Sequence, residues 1–63
     1  MDTKNAKEHV KDVTNHLQNA KNCLNNALSS AEKPENKQQI QETLNAVDGA
    51  LQTATTTLLS YKG

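Results

Sequence analysis

The stretch IQETLNAVDGALQTATTTLLSY, residues 40–61, decides how this chain folds. Ile40, Leu44, Val47, Leu51, Ala54, Leu58 and Tyr61 recur in it at alternating steps of four and three. Residues so spaced lie above one another on an α-helix, whereas a strand would call for alternation every second residue. The pattern is an unbroken heptad and predicts a helix with one narrow apolar stripe. Upstream, Ala6, Val10, Val13, Leu17, Ala20, Leu24, Ala27 and Ala31 repeat the same steps. The chain therefore reads as two amphipathic helices of similar length with one break between them.

The break is AEKPEN, residues 31–36. Pro34 has no N–H to donate and disfavours the helical conformation at Lys33. It suits the first position of a new helix, and Glu35 behind it suits the positive end of that helix's dipole. With no long linker, the helices are expected to fold back as an antiparallel hairpin. A single long helix kinked at Pro34 is the competing arrangement, and it would leave both stripes in water. The expected boundaries are helix 1 at about 3–31, a turn at about 32–34 and helix 2 at about 35–61, all in one domain spanning 1–63. Asp2 or Thr3 is the expected cap of the first helix. Thr53, Thr55, Thr56 and Thr57 are β-branched and are expected to weaken the last turns of the second. Lys62 suits the negative end of that helix. Gly49 sits within it, on the face away from the stripe.

The two stripes can be fitted layer by layer. Val10, Leu17, Leu24 and Ala31 take heptad position a on the first helix, as Leu44, Leu51 and Leu58 do on the second; the remaining stripe residues take d. One antiparallel register then sets Ala31 against Ile40, Ala27 against Leu44, Leu24 against Val47 and Ala20 against Leu51. It continues with Leu17 against Ala54, Val13 against Leu58 and Val10 against Tyr61. In four of these seven layers an Ala meets a large side chain, the mixture by which helices interdigitate closely. Ala46, Ala50 and Thr57 add small residues beside the second stripe, where a further helix could approach. Leu28 and Leu59 fall off the stripes and add apolar area toward the C-terminal end of each helix. Sixty-three residues with 33% hydrophobic content, no Phe and no Trp make a thin core, open on two sides.

The length, the single hairpin and the layers mixing Ala with Leu resemble the Rop-type hairpin, which dimerises into an antiparallel four-helix bundle. The likeness is one of shape and implies the bundle. That family binds paired RNA loops through a basic and aromatic face, and this chain has no Arg and no Phe. The turn Lys33-Pro34-Glu35-Asn36 between two helices is faintly similar to the turn in helical-hairpin subunits of secretion needles, whose chains run on beyond their second helix.

Seven Lys balance seven Asp plus Glu. Nucleic-acid binders carry a basic excess, Arg for bidentate contacts and often aromatic residues for stacking, so that class is set aside. No apolar run is long enough for a signal peptide or a membrane span. The lone Cys23 has no partner for an intrachain disulfide, which makes the cytoplasm the expected location.

Candidate chemistry is sparse. His9, Asp12 and His16 share one helix face, and two imidazoles with a carboxylate are the donors a divalent ion such as zinc takes. The plainer reading is that both His flank the seam at position g, with apolar rings against the core and polar tips in water. Cys23 continues that row, but His16 is about 10 Å away along the helix axis, too far to serve it as a base. Lys4, Lys7 and Lys11 are interleaved with Asp2, Glu8 and Asp12 and read as a solvated face. There is no catalytic constellation, phosphate loop or cofactor motif.

The sequence thus predicts an all-α antiparallel hairpin that dimerises into a four-helix bundle. Its expected function is non-enzymatic self-association, without catalytic residue, metal, cofactor, nucleic acid, membrane or small-molecule substrate. The residues expected to form the core and interface are Val10, Val13, Leu17, Ala20, Leu24, Ala27, Ile40, Leu44, Val47, Ala50, Leu51, Ala54, Leu58 and Tyr61. The alternative is an adaptor or inhibitor whose groove takes an amphipathic helix of another protein. A metal-binding hairpin ranks behind both.

Overall fold

A computed structural model describes residues 5–62 of the chain. It contains two helices, α1 at Ala6–Ser30 and α2 at Pro34–Ser60, packed against each other as an antiparallel hairpin. The Cα trace measures 48 × 23 × 11 Å, which is two helices side by side and one helix thick.

Asn5 caps α1. Its side-chain oxygen accepts from the Glu8 N–H at 2.9 Å, and the Glu8 carboxylate accepts from the Asn5 N–H at 3.2 Å. This reciprocal capping box satisfies two donors that the first turn would otherwise leave without intrahelical acceptors. The expected caps, Asp2 and Thr3, lie outside the described residues. The helix starts later than expected because Asn5 with Glu8 three positions on makes the stronger start signal.

The reversal is tight. Ala31 (φ −72°, ψ 138°) and Lys33 (φ −85°, ψ 135°) are extended, and Pro34 opens α2 directly. Pro34 forces the extended geometry on Lys33. The Ala31 N–H still reaches the Ala27 carbonyl at 2.9 Å, which closes the last turn of α1 without glycine. At the far end α2 runs through the threonine stretch to Ser60. The threonines cost tenths of a kcal/mol each in propensity, whereas Ala54 and Leu58, both half-buried, hold the same turns to the seam. Lys62 lies beyond the helix and is exposed, and neither helix has a basic residue in its last turn.

Both stripes face inward along most of their length. On α2, Leu44 is buried and Ile40, Val47, Leu51, Ala54, Leu58 and Tyr61 are half-buried. On α1, Val10, Leu17, Ala20, Leu24, Ala27 and Ala31 are half-buried. Two stripe positions near the open end depart from this. Ala6 is exposed, since the layer spacing would carry its partner past the end of α2, and Val13 is 47% exposed. Among the described residues Leu44, at 8%, is the one buried side chain. The rest of the seam is only partly enclosed by the two helices.

Candidate interaction surface

The two long sides of the seam differ. On one, Thr14, Lys21 and Leu28 of α1 occupy position e, as Gln41, Asp48 and Thr55 do on α2. Thr14, Lys21, Leu28 and Asp48 are half-buried, so their own side chains cover this flank. Lys21 Nζ donates to Asp48 Oδ1 at 2.9 Å and ties the helices together near mid-length. Gln52 Nε2 donates to the other Asp48 oxygen at 3.3 Å. Gln41 donates to Asn45 at 3.0 Å along α2, and Gln18 donates to Asn22 at 3.2 Å along α1. Such i, i+4 amide pairs support exposed helix turns by tenths of a kcal/mol each, and they give the Asn and Gln richness a structural use.

The other side is uncovered. His9, His16, Cys23 and Ser30 occupy position g on α1, and Asn36, Thr43, Ala50 and Thr57 occupy it on α2. All eight are exposed, and none is Lys, Asp or Glu. Beyond them on α2 the outer row continues with Gln39, Ala46, Thr53 and Ser60, again exposed and without charge. Asp12, half-buried, is the charged residue in the corresponding outer row of α1. Toward the turn this side opens into a groove of about 550 Å³ whose floor is Leu24, Ala27, Ala31 and Ile40. Ser30, Asn36, Gln39 and Thr43 form its rim. Cys23, Ser30, Thr43, Ala50 and Thr57 are short and leave the stripe visible, where long side chains would have lain across it.

Ala50, expected in the interface, is thus exposed, together with Ala46 and Thr57. Gly49 is also exposed, and a Cβ built on it would meet nothing within 4 Å. Leu59 is 83% exposed near the open end, while Leu28 is half-buried. His9 and His16 stand in the exposed row, and among the described residues no three His, Cys, Asp or Glu side chains come together as a metal site. Cys23 is exposed and in no disulfide within the chain. The ion pair between Lys21 and Asp48 escapes a reading of the sequence made along the apolar stripe alone. Its signal is opposite charge at facing e positions of an antiparallel pair.

A family model described as "Type III secretion system, cytoplasmic E component of needle" matches residues 2–61. The chain belongs to this family. No curated protein and no solved structure matches it. The match takes in both helices and the turn between them. Membership makes the chain a small helical protein of a secretion-needle family, a structural class and not an enzymatic one. Protein partners, itself included, are what such an apparatus implies. No helix among the described residues is long and apolar enough to cross a membrane.

Proposed function

We propose that this needle E-component hairpin is a non-enzymatic interaction module that works by packing its open seam against further helices, in the simplest case those of a second copy, to form a four-helix bundle. The observation that carries the reading is the state of the core: a complete heptad stripe on each helix, yet a single buried side chain, Leu44, among the described residues. An apolar stripe of this length gains stability in proportion to the area taken out of water, at about 25 cal/mol per Å². The half-buried stripe residues keep part of their surface in water, and that part of the gain is still open to the hairpin. A cytoplasmic location belongs to the same reading, and the word in the family description supports it.

The family description also favours a second reading. It names a component of a larger needle apparatus, and another chain of that apparatus could supply the covering helix, making the hairpin an adaptor. Light scattering over a concentration series separates the two. A dimer that persists on dilution is expected. A monomer with low-melting helices, stabilised only when another needle component is added, would replace self-association by the adaptor role.

A further inference from the structure

We propose that the second copy docks on the uncharged side of the seam, the side of Cys23, Thr43 and Ala50, and that the side tied by Lys21 and Asp48 stays in water. This rests on the self-association reading above and names its face and its symmetry.

Three observations converge on that face. The first is coverage. The e side is closed by half-buried Thr14, Lys21, Leu28 and Asp48, so a partner there would have to displace an ion pair together with the Lys21 stem and Leu28. The g side is exposed along its whole length, and the floor of its groove is the stripe itself, Leu24, Ala27 and Ile40. The second is charge. A two-fold dimer brings a face against its own copy, so the face must tolerate itself. A face carrying one sign of charge repels its copy, and one carrying mixed charge must match itself in register. A g row with no Lys, Asp or Glu meets neither obstacle, and the chain as a whole has no net charge to oppose approach. A partner chosen for charge would find Asp12, in the outer row of α1, and the imidazoles of His9 and His16, but no run of one sign along the face. The third is size. The broad face of the hairpin extends 48 by 23 Å, which leaves room for the roughly 800 Å² per partner that a stable interface buries. Ala46 and Ala50 let the incoming helix approach closely enough for Leu51, half-buried in the hairpin, to become core.

The chain carries its own reporter. Cys23 is the sole cysteine and stands exposed near the middle of the proposed face. The test measures mass by light scattering and Cys23 reactivity toward 5,5′-dithiobis(2-nitrobenzoic acid), both over a concentration series, for the wild type, Ala50→Glu and Gln18→Glu. Positions 50 and 18 are both exposed, Glu is a good helix former, and Gln18 lies on the opposite side. The expected result is a dimeric wild type and a dimeric Gln18→Glu, with the thiol reacting several-fold more slowly as protein concentration rises. Ala50→Glu should be monomeric, with unchanged helical circular dichroism at low temperature and a thiol equally reactive at every concentration. A dimer in which Cys23 stays fully reactive, or one that Ala50→Glu leaves intact, would overturn the face and leave self-association standing. The wild-type thiol measurement decides this even if Ala50→Glu fails to fold. A wild type that is monomeric throughout would remove the second copy as the occupant, and self-association with it.

Discussion

Leu44 and Gly49 sit five residues apart on α2 and bound what a single side chain does in this protein. Leu44 is 8% exposed, and the register expected from the stripes sets it against Ala27. Leu44→Ala removes the methyl groups on which that layer depends and leaves a gap that an opposing Ala cannot fill, at a cost of about 2 kcal/mol or more. In so thin a core the expected readout is a large loss of helical signal and of melting temperature in circular dichroism; a variant that melts like the wild type would mean that Leu44 is not central to the packing. Gly49 is the opposite case. It is helical and exposed, with space around the position of a Cβ, so Gly49→Ala should stabilise by up to about 1 kcal/mol. A lower melting temperature would mean that a partner helix passes over position 49. The outward placement of Gly49 can be read from the heptad, because a residue between a d and an a of the next turn has no choice of face. The exposure of Val13 cannot, since it depends on there being no third helix at the open end.

At the scale of the element, α1 and α2 are held at their ends by different devices. Asn5 and Glu8 close the start of α1 by reciprocal hydrogen bonds; α2 starts on Pro34 with no side-chain cap. Asn5→Ala should therefore cost about 1 kcal/mol, read as a lower melting temperature and as faster hydrogen exchange confined to the first turn of α1. Exchange that is unchanged there would show that the cap is not formed in solution. Along the helices, Lys21 and Asp48 form the cross-link on the e side. Both side chains are about one-third exposed, at 35% and 38%, so a double-mutant cycle with Lys21→Gln and Asp48→Asn should give a coupling of less than about 1 kcal/mol that shrinks with added salt. A coupling that is zero at low salt would mean the pair does not set the alignment of the helices. Helix type, the break at Pro34 and the capping box are all local signals and were open to reading from neighbouring residues. A cap assigned to Asp2 or Thr3 missed the box because either residue can also cap, and only the completed first turn discriminates among them.

For the whole molecule, the expected consequence of an open seam is a stability that depends on protein concentration. If a second copy covers the seam, the melting temperature should rise steadily with concentration, as mass action requires for a complex whose folded form binds its partner. A melting temperature that is flat over a hundredfold range would show a hairpin that folds alone. The sequence by itself determined that the chain forms two helices, where they break, that they lie antiparallel and which stripe each turns inward, because helical periodicity and the conformational limits of proline act over a few residues. Only the tertiary structure decided which flank of that stripe is closed. Position e and position g are equivalent neighbours of a heptad core, and each row here holds residues that could lie either way. The balance is tipped by a pairing 27 residues apart in sequence, Lys21 with Asp48: once Lys21 reaches across one flank to Asp48, the exposed g residues are left to line the other.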